Sequence, residues 1–301
     1  MSTIPTAADA ASASTASTAS SRKPLDEEID VWGLTHPGKV RKTNEDHFLV
    51  GSLHKHLEIR STSLPIAEQF QACDERIGFL AMVADGVGGQ LAGEEASRVA
   101  LEEVTLYLAH STSCYYRSDA RASEFVDVLQ EAAMRTHERV LERASADPDF
   151  SGMATTLTLW MGVWPWVYLL QVGDSRYYHF RRGVLTQITR DQTMAQDLVD
   201  QGVMARSVAF SSRWAHVLSS AIGGSQTLPV VTRIANGWDQ THLLCSDGLT
   251  KHVSDERIAE RLAAMTSAQQ VCEALLQDAL DAGGTDNITI IVGRPVERAS
   301  R

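Results

Sequence analysis

The sequence predicts an α+β fold in which two β-sheets pack together and helices flank them. Short, β-branched, charge-free runs recur at residues 78–84, 166–173, 242–246 and 287–292, and these read as strands. Two stretches, around 96–108 and 125–141, instead space their apolar residues at the helical period. The last third alternates strand and helix patterns, and no internal repeat is apparent.

Residues 1–21 are almost wholly Ala, Ser and Thr, with Asp9 the only charge. Such a segment buries too little apolar surface to fold, so residues 1–24 are expected to be a disordered tail. It lacks the basic and apolar regions of a secretory signal. One domain is expected over 25–295, followed by a short tail at 296–301. Residues 31–36 and 46–50 read as the first two strands. The 53–76 connection exceeds a hairpin's needs; its His54 and His56 read as surface, because no further ligand is spaced to complete a zinc site. In the first helix Ala96, Val99, Ala100, Val104, Tyr107 and Leu108 share a face; in the second, Phe125, Leu129, Ala132, Ala133, Thr136, Val140 and Leu141 do. Residues 150–173 carry no charge and are long enough to span a bilayer. Gly162 and Pro165 interrupt them and three threonines crowd their start, so a buried β-hairpin is the better reading. Strands are expected at 177–180 and 184–188 and a helix at 194–201. An irregular stretch follows at 202–224, with Arg206, Arg213 and His216. A strand around Leu243, helices at 255–265 and 268–282 and a final strand complete the chain. Ser267 and Gln270 have the spacing of a capping box.

An excess of 38 acidic over 27 basic residues gives a formal charge of −11, which argues against nucleic acid or an anionic membrane as the main partner. The four cysteines form no Cys-x-x-Cys pair. Cys245 and Cys272 read as buried thiols, which fits a reducing cytoplasm. No Cys-x5-Arg loop is present, so a cysteine nucleophile is excluded.

Four aspartates stand at the edges of the strand-like runs: Asp85, Asp174, Asp247 and Asp286. Taken singly, each is an ordinary turn residue. If the strands share one edge, however, the carboxylates converge and need cations between them, and all-oxygen ligands suit Mg2+ or Mn2+. The ordered set comprises Arg41-Lys-Thr-Asn-Glu-Asp46, Asp85-Gly-Val-Gly-Gly89, Met153-Ala-Thr-Thr-Leu157, Gly173-Asp-Ser-Arg176, Asp247-Gly-Leu-Thr250 and Gly284-Thr-Asp-Asn287. Over residues 31–292 this set resembles the metal-dependent protein phosphatases, the type 2C serine/threonine family, in its bacterial branch.

The resemblance implies an α-β-β-α sandwich of two antiparallel sheets and a protein serine/threonine phosphatase. Phosphoserine and phosphothreonine in proteins would be hydrolysed by a water bridging two Mn2+ or Mg2+ ions, with a serine/threonine kinase as the opposing partner. Asp85 would bridge the metals, Asp247 and Asp286 would complete one, and the Gly86 carbonyl would serve the other. Glu45 and Asp46 would hold metal-bound waters, and Arg41 would clamp the substrate phosphate. Asp174 with Asp247 would form a weaker third metal site. The 202–224 stretch resembles the family's flap beside the active site. Two departures stand out. Val87 occupies a position where animal members carry histidine, and Lys251 stands where some members place a further acid. The competing expectations are a non-catalytic phosphoprotein-binding regulator on the same fold and a small-molecule phosphatase; the complete acid set favours catalysis.

Overall fold

The computed structural model describes residues 22–54, 57–63, 76–111, 122–209 and 212–297. The expectations for residues 1–21, His56, most of the 53–76 connection and 298–301 fall outside these. Among the described residues the strands form two antiparallel sheets. The first has the order β1 (Ile29–His36), β12 (Ile288–Pro295), β11 (Gln240–Cys245), β8 (Arg176–Arg181), β9 (Val184–Gln187). The second runs β10 (Val230–Ala235), β7 (Trp166–Val172), β6 (Leu157–Val163), β4 (Gly78–Val87), β2 (Asp46–Leu53), β3 (Leu57–Thr62). A two-residue strand, β5 (Ala154–Thr155), pairs with the end of β4.

Strand side chains alternate between faces, and here both faces are covered. On β2 and β4, Leu49, Leu53, Leu80 and Met82 pack against α1 (Gln90–Ser111) and α2 (Ala122–Ala146). Their neighbours Phe48, Val50, Phe79, Ala81 and Val83 meet Tyr177, Leu244 and Ile291 of the other sheet. Leu243, Cys245, Ile288, Ile290 and Val292 turn outward onto α6 (Asp255–Ala263) and α7 (Ala268–Asp281). The layers are therefore helix, sheet, sheet, helix, as the resemblance implies. Burial on both faces explains why the strand runs are continuously apolar.

Several details depart from the sequence reading. Two strands, β3 and β10, went unread; each forms an edge of its sheet. On α2, Leu141 is 40% exposed, whereas Leu101 on α1, left out of the expected stripe, is fully buried. The capping box is half formed: Ser267 accepts from the Gln270 backbone N–H, but the Gln270 side chain accepts from Thr266. Residues before 25 also contact the domain. Arg22 pairs with the buried Glu28, Trp238 Nε1 donates to the Arg22 carbonyl at 2.8 Å, and Lys23 bonds the Arg76 carbonyl. At the other end, Val296 N–H donates to Glu28 O, so the 296 boundary also sits against the domain. The charge-free 150–173 stretch holds the β6–β7 hairpin, paired from Leu157–Val172 to Val163–Trp166. No described helix is long and apolar enough to cross a membrane. Two further short helices, α3 (Met194–Asp200) and α4 (Arg206–Ala209), follow β9, and α5 (Asp247–Thr250) follows β11.

Candidate metal centre

The strand ends bring the predicted residues together at one end of the sandwich. A pocket of about 310 Å3 is lined by Arg41, Glu45, Asp85, Gly86, Asp174, Asp247 and Asp286. Asp46 lies behind it, 2% exposed. Seven of the eight predicted positions thus face one cavity, and the eighth supports it. A second cavity, of about 80 Å3, lies between the sheets around Phe79, Trp160 and Ile291 and holds none of these acids.

Each acid is fixed by its element. Asp46 and Asp85 are direct partners across the β2–β4 ladder, a placement that sets like charges opposite each other. Asp46 Oδ2 accepts from the hydroxyls of Ser246 and Thr289, both at 2.7 Å, while its Oδ1 is buried with no hydrogen-bond partner. The backbone of Asp85 is clamped by the threonine pair: Thr156 Oγ1 accepts from its N–H, and Thr155 Oγ1 donates to its carbonyl. Asp174 occupies the β7–β8 turn, Asp247 opens α5 directly after β11, and Asp286 precedes β12. Gly86 has no room for a side chain, since a Cβ there would collide with the carbonyls of Gly93 and Glu45.

Electrostatics single out the group. Burial pushes the Asp46 pKa up to about 7 despite its two hydroxyl donors, with Asp247 and Asp286 adding repulsion. Burial and then Asp247 push Asp174 up to about 8. Asp85 is raised well above the carboxylate range by desolvation and by Asp46, Asp247, Asp174 and Asp286. Glu45 is raised by burial, partly offset by Arg41. Asp286 goes the other way: burial favours its neutral form, but Lys251 and Arg41 outweigh that and lower its pKa. The Lys251 ammonium lies 2.6 Å from Asp247 Oδ2 and 2.7 Å from Asp286 Oδ2, and Arg41 Nε lies 2.8 Å from Asp286 Oδ1.

An orphaned buried carboxylate oxygen, mutual repulsion among the acids and an all-oxygen donor set fit hard divalent cations. The site is not a finished cage, however. Among the described residues no three His, Cys, Asp or Glu side chains already stand in metal-holding geometry. Lys251 and Arg41 already pair with Asp286.

Other expectations sort clearly. Arg176 braces the turn, gripping Asp191 at 2.6–3.1 Å and donating to Tyr178 Oη. From the 202–224 stretch, His216 and Leu218 reach the pocket. Arg213 stacks on Trp214 instead, 4.6 Å from the ring centre. Sequence reasoning missed Asn287 as a staple. Its Oδ1 accepts from Glu45 N–H, and its amide donates to the carbonyls of Pro37 and Thr43, tying the β1–β2 connection to β12. Ser97 was also missed; its hydroxyl donates to the Glu45 carbonyl at 2.5 Å. A small polar residue within an apolar helix stripe is the one signal that pointed to it.

The chain matches the model of a family described as Protein phosphatase 2C over residues 59–282. It belongs to that family. It is 36% identical, over 72% of its length, to the serine/threonine protein phosphatase PstP of Mycobacterium tuberculosis, of which it spans 40%. It is 28% identical to the serine/threonine phosphatase stp of Listeria innocua, over 71% of this chain and 83% of that protein. Among solved structures, the catalytic domain of PstP in complex with two manganese ions superposes with a TM-score of 0.68 at 29% identity, covering 89% of this chain and 99% of that one.

Proposed function

We propose that this chain is a metal-dependent protein serine/threonine phosphatase. The observation that carries the reading is the single pocket into which the strand ends deliver Asp85, Asp174, Asp247 and Asp286 beside Arg41. Asp85, Asp247, Asp286 and the Gly86 carbonyl are assigned to hold two Mn2+ or Mg2+ ions, and Asp174 with Asp247 a weaker third. Bound there, the ions supply Lewis-acid activation of water and neutralise the phosphate. Glu45, its backbone fixed by Asn287 and Ser97, would orient water in the pocket, and Asp46, held by Ser246 and Thr289, would do so from behind it through its unpartnered Oδ1. Arg41, with a side chain 51% exposed, is free enough to leave Asp286 and grip a phosphoryl group by its fork. Protein-bound phosphoserine and phosphothreonine are the substrates this reading assigns, and a serine/threonine kinase is the expected partner. Buried free thiols at Cys245 and Cys272 support a reducing, cytoplasmic setting.

Turnover of p-nitrophenyl phosphate and of a phosphothreonine peptide is expected to need added Mn2+ or Mg2+. Asp85→Ala and Asp286→Ala should each lower kcat by about a hundredfold or more, because a metal clamp fails as a unit. Full activity in excess EDTA would sink the metal-dependent reading. Turnover of sugar phosphates in preference to the peptide would move the assignment to a small-molecule phosphatase.

A further inference from the structure

The pocket already contains a cation of the chain's own. Lys251 caps the C-terminus of α5, one helical turn after Asp247, so its side chain returns over the same face. Its ammonium lies between two carboxylates on different elements, 2.6 Å from Asp247 Oδ2 and 2.7 Å from Asp286 Oδ2. The remaining oxygen of Asp286 is also engaged, by Arg41 Nε at 2.8 Å and by the Asn287 N–H at 3.0 Å. Both oxygens of Asp286 are thereby engaged. No comparable basic side chain pairs with Asp85 or Asp174 among the described residues.

We propose that Lys251 is a built-in counter-cation that holds Asp247 and Asp286 together and that a metal ion must displace before using them. This rests on the metal-site assignment above and adds a threshold to it. The ammonium and a divalent ion would compete for the same two carboxylates, so the tethered charge weakens metal affinity at this end of the pocket. In return it screens the acids from one another when metal is scarce. Lys251 is a positioning residue on this account, since its role is exercised through Asp247 and Asp286. The lysine stem is long enough for the ammonium to swing towards solvent, its side chain being 26% exposed already.

The test measures metal binding without substrate. Mn2+ titrated calorimetrically into Lys251→Met, which keeps the stem and loses the charge, should bind about tenfold or more tightly than to wild type. In EDTA the same variant should melt below wild type, and saturating Mn2+ should close or reverse that gap. Lys251→Arg keeps the charge and should keep the weaker binding. If Lys251→Met does not fold in EDTA, Lys251→Gln purified with Mn2+ and titrated with a chelator of known affinity gives the same comparison. An unchanged Kd for Mn2+ in both neutral variants, or equal tightening in Lys251→Arg, would overturn the proposal. Tightened Mn2+ binding without phosphatase turnover in any form would leave it standing and reject the phosphatase reading instead.

Discussion

Asp85 is held where its ionised form is least welcome. Desolvation and four neighbouring aspartates all raise its pKa, so without a cation it is relieved only by taking up a proton. The sign of the consequence follows from linkage. A carboxyl whose folded pKa lies above its unfolded value is a stabilising, protonated group near pH 4. That contribution disappears as the pH rises towards the folded pKa. Asp85→Asn should therefore melt with wild type at pH 4 in EDTA and above it at pH 7.5. The gap should grow by about 1.4 kcal/mol for each pKa unit of elevation, or a few degrees in Tm. Turnover should be lost in the same variant. Equal melting temperatures at both pH values would mean that the acid cluster carries no repulsive strain. Those acids were legible in the sequence because each adjoins a glycine or a polar turn at the end of an apolar run. Asn287 was legible only as a motif letter. Its work is done through bonds to residues 37, 43 and 45, and nothing in local sequence states that β12 lies beside that connection.

Most strands were readable, the edges β1 and β9 of the first sheet included, but β3 and β10, the two edges of the second sheet, were not. β2 is buried along its whole length and carries the apolar run Phe48-Leu-Val50, whereas β10 alternates exposed and half-buried positions. β3 likewise lies at an edge, within a connection that reads as loop. β11 shows what the packing of two sheets imposes on a single residue. His242 points into the space between the sheets, with Nδ1 2.8 Å from Tyr177 Oη and its ring near Trp160 and His179. Burial, with help from the His179 charge, drops its pKa to about 3. The unfolded chain takes up this proton near pH 6.5 and the folded chain does not. Stability should therefore fall as the pH drops through that window, by about 1.4 kcal/mol per pH unit for this histidine. His242→Gln should be less stable than wild type at pH 7.5 but show a shallower decline between pH 6.5 and 4, measured by urea unfolding. Parallel declines would place the acid sensitivity elsewhere. His47 has the same sign, its pKa lowered to about 4 by burial and Arg98, so part of the decline should persist.

The order of strands across the two sheets explains why residues separated by more than two hundred positions share one pocket. β1, β12 and β11 form one wall, β2 and β4 the other, and the acids leave both walls at the same end. Residues near the two ends of the described domain meet on this frame. Glu28 O accepts from Val296 N–H, and β1 pairs with β12 from Ile29–Pro295 to His36–Ile288. The sequence reading placed the tail at residues 1–24 from composition. The contacts of Arg22 and Lys23 with Glu28, Trp238 and Arg76 are made across long sequence separations that composition cannot register. The guanidinium of Arg22 also lies 4.8 Å from the Trp238 ring centre. Two truncations separate the readings. A chain beginning at Arg22 should match the full chain within about 1 °C in Tm, since an Ala/Ser/Thr segment offers little surface to bury. A chain beginning at Leu25 loses the Arg22–Glu28 pair, the Trp238 acceptor and the Lys23 contact together. It should melt lower by roughly 5 °C or more in thermal scans with Mn2+ present. The metal site lies at the other end of β1, so Mn2+ affinity should be the same in both truncations. If the second cut proved as harmless as the first, the contacts of Arg22 and Lys23 would add nothing to the domain, and its boundary would return to residue 25.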